Sequence, residues 1–129
     1  MGPELVVLIV EDNERNLELV RDLLELRGFR TLEAANAEAG IAVARAHRPD
    51  VVLMDVQLPD IDGVDALGRL RADPATRAIP VVALTAFAMK DDRMRFMDAG
   101  FDGYLMKPID IRTFPDEVRR YCLPEDRRA

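Results

Sequence analysis

The chain has no tryptophan, a single cysteine and a single histidine in 129 residues. A lone Cys122 excludes an intrachain disulfide and fits a reducing compartment; beside Tyr121 it reads as partly buried against the last helix. With only Cys122 and His47 on offer, a zinc centre of nitrogen and sulfur ligands is nearly excluded. His47 falls at the end of an expected helix, where it can interact with the helix terminus. No apolar stretch approaches membrane-spanning length, and the first residues carry neither a basic region nor a cleavage motif, so a cytoplasmic protein is expected. Positive charge is also short, 18 bases against 24 acids for a net charge of -6, which argues against nucleic acid or anionic membrane as partner. Arg119–Arg120 and Arg127–Arg128 are too few and too close to acids to form a nucleic-acid patch, and read as solvated.

What is present is a globular composition, 49% hydrophobic, in a chain long enough for one domain with a real core. The acid excess is lopsided: residues 1–85 hold 15 acids against 9 bases, and residues 86–129 hold 9 of each. Asp60, Asp62 and Asp65 belong to that excess and are compatible with plain solvated surface. No internal repeat, linker or low-complexity segment breaks the pattern.

Strand and helix signals alternate throughout. Leu5–Val10 is a continuous apolar run, as expected for a strand buried on both faces. Glu14–Arg27 carries Leu17, Val20 and Leu24 at helical spacing and stops at Gly28. Arg30–Glu33 is a more polar strand suited to an edge. Asn36 can cap a helix through about His47, ended by Pro49–Asp50, in which Gly40 costs some helix stability. Val51–Asp55 reads as the central strand, Gln57–Gly63 as a loop stiffened by Pro59, and Val64–Arg71 as a short helix. Val81–Leu84, Lys90–Ala99 and Gly103–Met106 supply strand, helix and strand. Pro115 would interrupt a helix begun at Asp110, so the last helix is placed at about 114–121 with Thr113 as N-cap. Residues 123–129 are a polar tail.

Such alternation predicts a doubly wound α/β fold, a five-stranded parallel sheet with helices on both faces. Functional groups then gather at the carboxyl ends of the strands. Glu11 and Asp12 follow the first strand, Asp55 ends the third, Thr85 follows Val81–Leu84, and Lys107 follows Tyr104–Met106. Three clustered carboxylates repel one another unless a cation is present. Oxygen-only ligands suit a hard ion such as magnesium, with manganese also admissible. Lys107 adds a positive centre for an anion, and Thr85 a hydroxyl that can bond it. Metal, lysine and hydroxyl around one carboxylate describe a phosphoryl-transfer site in which Asp55 attacks phosphorus in line. The backbone carbonyl of Gln57 is a further candidate metal ligand.

The motifs Val10–Glu11–Asp12–Asn13, Met54–Asp55 with Pro59 and Gly63, Leu84–Thr85–Ala86 and Lys107–Pro108 resemble the receiver domain of two-component response regulators. The resemblance spans about residues 4–122 and implies one CheY-like (flavodoxin-like) domain with sheet order 2-1-3-4-5 and no output domain. It is strongest to single-domain DivK-type regulators and to receivers attached to hybrid kinases. It implies that Asp55 is the phosphoacceptor, Asp12 a direct magnesium ligand, Glu11 a ligand acting mostly through water, and Gln57 a carbonyl ligand. Thr85 becomes the switch hydroxyl, Lys107 the phosphate-binding lysine and Tyr104 the switch aromatic. Small Ala86 leaves access for a hydrolytic water, with Gln57 and Phe87 flanking its route. The implied donor is a phosphohistidine on a sensor histidine kinase or phosphotransfer protein. The implied partner surface lies around residues 87–121, with Phe87, Lys90, Arg93 and Tyr104.

Two readings compete with that switch, which has no separate substrate and so is not an enzyme in the ordinary sense. One is a receiver-like structural module that binds partners without phosphorylation, against which the full acidic set and Lys107 argue. The other is a magnesium-dependent aspartyl-phosphate phosphatase, which usually needs a general acid two residues after the nucleophile, where Gln57 stands. A flavin or nucleotide carrier fails for want of a glycine- or hydroxyl-rich loop after Val10.

Overall fold

The computed structural model describes residues 4–86 and 90–123, and of residues 90–93 the backbone alone. In chain order the elements are β1 (Val6–Val10), α1 (Glu14–Leu26), β2 (Arg30–Ala34), α2 (Ala37–His47), β3 (Val51–Asp55), α3 (Gly63–Ala72), β4 (Val81–Thr85), α4 (Lys90–Ala99), β5 (Gly103–Met106) and α5 (Phe114–Tyr121). The sheet runs β2-β1-β3-β4-β5, with every pairing parallel. The doubly wound fold and the strand order expected from sequence are both observed.

Alternation along the strands explains why apolar runs occupy the three middle positions. Leu8, Val10, Val52, Met54 and Ala83 face one layer, packed with Ala37 and Ile41 of α2, Leu67 and Leu70 of α3 and Phe96 of α4. Their neighbours Val7, Ile9, Leu53, Val82 and Leu84 face the other, against Val20 and Leu24 of α1 and Phe114 and Val118 of α5. Cys122 is half-buried against this second layer, as expected. At the edge, β2 exposes Arg30 and Glu33, matching its polar sequence.

One local expectation needs correction, that of Thr113 as a capping side chain, and two gain a further part. Gly40 is no simple loss of helix stability: a β-carbon there would lie 2.8 Å from Val10 Cγ2, so the glycine lets α2 approach β1. Thr113 does hold the N-cap position of α5, but its hydroxyl makes no capping bond. Its backbone is already helical, at φ -103° and ψ -22°, rather than in the extended form that presents a cap side chain to the first turn. A turn from Asp110 shapes the approach instead, with Arg112 N donating to Asp110 Oδ1 at 3.0 Å and Phe114 N to Asp110 O at 2.9 Å. Nor is Arg119 merely solvated. Its guanidinium lies 4.7 Å from the centre of the Phe29 ring and donates to Arg27 O at 3.2 Å, tying α5 to the α1–β2 turn. Residues 127 and 128 lie outside the described residues. Among the described residues, no helix is long and apolar enough to cross a membrane.

Candidate functional site

Parallel register brings the ends of four strands to one rim. Val10 is level with Met54, Asp55 with Leu84, and Thr85 with Met106. The ladder continues just past the strands, where Glu11 N donates to Ala34 O at 3.0 Å and Lys107 N to Thr85 O at 2.8 Å. The residues that follow the apolar runs therefore share one rim because the strands stop in step.

Glu11, Asp55 and Thr85 are buried, with 1%, 6% and 1% of their surface exposed, while Asp12 is open to solvent. One oxygen from each of Glu11, Asp12 and Asp55 lies within 4.8 Å of the others. Lys107 Nζ stands between the two buried acids, 2.8 Å from Glu11 Oε2 and 3.0 Å from Asp55 Oδ2. Backbone donors fix the remaining oxygens: Gln57 N–H donates to Asp55 Oδ1 at 2.8 Å, and Asn13 N–H to Glu11 Oε1 at 3.2 Å. Asn13 also caps α1 by accepting from Arg15 N and Asn16 N, so one short turn orients Glu11 and starts the helix.

The charges in this pocket do not balance. Burial pushes the Glu11 carboxyl above its ordinary range; Lys107 offsets that in part, and Asp55 adds to it. Burial alone would lower the Lys107 ammonium, but its close contacts with the Glu11 and Asp55 carboxylates outweigh that and raise it. One lysine thus serves a cluster of three carboxylates. The contact with Glu11 is close enough for an ion pair but poorly directed, since Glu11 Oε2 has no aligned hydrogen-bond donor. A buried acceptor left in that state, beside two more acids, suits a hard divalent cation with oxygen ligands. The cluster can coordinate a divalent metal.

The other residues singled out in the sequence are spread around this centre. Thr85 closes β4 at the rim, and the Gln57 side chain is exposed while its N–H bonds Asp55. Tyr104, half-buried on β5, packs against the layer that contains Phe96. Phe87 lies outside the described residues, as do the side chains of Lys90 and Arg93 on α4. Lys107 also lines an adjoining groove of about 370 Å³, whose walls include Asn16, Leu19, Ala86 and Ile111. Leu19 and Ile111 are exposed apolar residues. Two acids are more than plain surface. Asp62 caps α3 through Val64 N at 2.7 Å, and Asp60 accepts from Ala37 N at 2.9 Å and Glu38 N at 3.0 Å on α2. The Asp62–Gly63 cap was readable from its local spacing, but the reach of Asp60 to another helix had no sequence signal.

Comparison with known proteins points the same way. Residues 7–119 match the family model for the response regulator receiver domain. The chain is 44% identical over 115 residues to the polar-differentiation response regulator DivK of Brucella anthropi, covering 89% of this chain and 94% of that protein. It superposes with a TM-score of 0.84 and 32% identity on the receiver domain of a Pseudomonas aeruginosa sensor histidine kinase. That match covers 93% of this chain and 98% of the other, whose structure has a magnesium ion coordinated in its active-site cleft. A receiver domain of a Syntrophus aciditrophicus signal transduction histidine kinase matches with a TM-score of 0.81 and 30% identity, over 91% of this chain and 89% of the other.

Proposed function

We propose that this chain, which belongs to the response regulator receiver domain family, is a phosphorylatable signalling switch whose phosphoacceptor is Asp55. A receiver acts as phosphoacceptor rather than as an enzyme with a separate substrate, and its usual partner is a histidine kinase or phosphotransfer protein. The observation that carries the proposal is the setting of Asp55: buried, oriented by the Gln57 N–H, and 3.0 Å from Lys107 Nζ beside two further acids.

The donor is a phosphohistidine. An Asp55 oxygen forms the new bond to phosphorus while the phosphorus–nitrogen bond breaks, its electron pair returning to the imidazole. Asp12 and Asp55, with the Gln57 carbonyl and with Glu11 through water, would hold magnesium, whose charge offsets that of the phosphoryl oxygens. Lys107 neutralises the same oxygens from the other side and keeps Glu11 as its second partner. The acyl phosphate brings about 1.5 to 2 negative charges and new acceptor oxygens to the rim. Thr85 donates its hydroxyl to one of them, Tyr104 turns inward, and the face around residues 87–121 changes for a partner. The groove walled by Leu19 and Ile111 adjoins Lys107 and supports docking of the donor on this side of the rim.

Incubation with acetyl phosphate, with and without magnesium, tests the proposal by intact mass. A magnesium-dependent gain of one phosphoryl group that Asp55→Asn abolishes is the expected result. No gain under conditions that label a control receiver would overturn it.

A further inference from the structure

The loop that carries Gln57 is fixed at its base and again at its tip. At the base, Gly63 N donates to Val56 O at 3.3 Å, and a β-carbon on Gly63 would lie 2.8 Å from Val56 Cα. At the tip, the Asp60 carboxylate reaches across to α2, each oxygen taking one N–H: Oδ1 from Ala37 at 2.9 Å and Oδ2 from Glu38 at 3.0 Å. Asn36 completes the same helix end, its side chain accepting from Ala39 N at 2.8 Å and its carbonyl from Gly40 N at 3.0 Å. Three of the N–H groups that this helix start leaves without intrahelical partners, those of Ala37, Glu38 and Ala39, are therefore satisfied, two of them by a residue 22 or more positions away in sequence. Bonds from Glu38 N and Ala37 N hold the Asp60 carboxyl below its usual range, so it is anionic and suited to the positive end of α2.

We propose that Asp60 is a positioning residue for the phosphoryl-transfer site: by clamping the loop tip to α2 it holds Gln57 where its N–H orients Asp55 and its carbonyl can complete the metal site. Leu58 and Ile61 pack the loop on the core but leave sliding freedom, because apolar contact is not directional. The carboxylate removes that freedom with two directed bonds. Its anchorage lies on the active rim itself, since Ala34, three residues before Ala37, accepts from Glu11 N. The stretch from the end of β2 to the start of α2 thus meets Glu11 through Ala34 and the Gln57 loop through Ala37 and Glu38. The inference rests on the site reading above and adds a residue that does not touch the reacting atoms.

Magnesium affinity by calorimetry, together with the Gln57 and Asp55 amide shifts in metal-free protein, tests it on the full chain. Asp60→Ala is expected to weaken magnesium binding by about tenfold, the low end of what loss of an outer support costs at metal sites, and to move the Gln57 amide resonance. Asp60→Asn, which keeps one acceptor oxygen, falls between Asp60→Ala and the wild type. Asn36→Ala is the control: it removes a cap from the same helix end without touching the loop, and should lower Tm while leaving magnesium affinity within twofold. An Asp60→Ala protein that binds magnesium like the wild type, or an Asn36→Ala protein that weakens it equally, overturns the positioning role. Failure of the wild type to bind magnesium instead removes the site reading on which the inference stands.

Discussion

Glu11 shows how a site can be held together at the expense of the fold. Its carboxyl is buried, has only an ion pair with Lys107 at one oxygen, and faces Asp55. Its folded pKa lies above the unfolded value, so the folded state holds the proton more tightly. The stability this group contributes is therefore fully present below the unfolded pKa and lost as pH rises through the folded pKa. Lys107 is raised as well, so its contribution is present below the ordinary lysine range and lost only as pH rises through its own folded value. At neutral pH Glu11 is the group that costs stability. In magnesium-free buffer, Glu11→Gln is expected to raise Tm at pH 7, with the advantage shrinking as pH falls into the carboxylate range. Thermal melts of both proteins across that range check the sign; an advantage that grows toward low pH would contradict it.

Elements report where sequence reasoning reached and where it stopped. The apolar runs gave the strands because a strand buried on both faces has few residue types available to it. Helix bounds followed from caps and stops, including the unusual start of α5. Gly40 was legible only as a weak helix former, because the cause lies across the core at Val10, a contact between residues 30 positions apart. Gly40→Ala should gain about 1 kcal/mol of helix propensity and lose more to overpacking, for a net destabilisation of about 1–2 kcal/mol in urea unfolding. Val10 is fully buried and β-branched, so it has little room to yield. Thr113 makes the opposite case. Sequence marks it as a cap, yet its side chain forms no capping bond, so Thr113→Ala should change stability by less than about 0.5 kcal/mol rather than the ~1 kcal/mol typical of a working cap. A loss near that larger value would restore the capping role. Asp60 was hidden for the reason that hid Gly40: its partners are on an element it does not adjoin in sequence.

Across the whole molecule, the candidate site was more legible than its surroundings because each member sits at or just past a strand end, and parallel strands stop along one rim. Glu11, Asp12, Asp55 and Lys107 could be grouped before any coordinates, since strand order and register do the rest. What the sequence could not supply was the imbalance within the group, one lysine aligned better with Asp55 than with Glu11. That imbalance couples metal to the stability of the entire fold. An ion bound by three acids drawn from the ends of β1 and β3 is bound by the folded state alone, so it stabilises by mass action. At a magnesium concentration one hundred times the dissociation constant the gain is about 2.7 kcal/mol, and Tm should climb steadily with the logarithm of concentration above that constant. Asp12 is the member to remove, because it is exposed and its loss disturbs no buried contact. Asp12→Asn is expected to keep nearly the wild-type Tm without metal and to lose most of the magnesium-dependent rise. Melting both proteins over a magnesium series, at constant ionic strength so that screening is held fixed, separates site binding from general salt effects. Parallel curves for the two proteins would mean that the acids at the rim do not act together on a metal, and the phosphoryl-transfer reading would lose its cation.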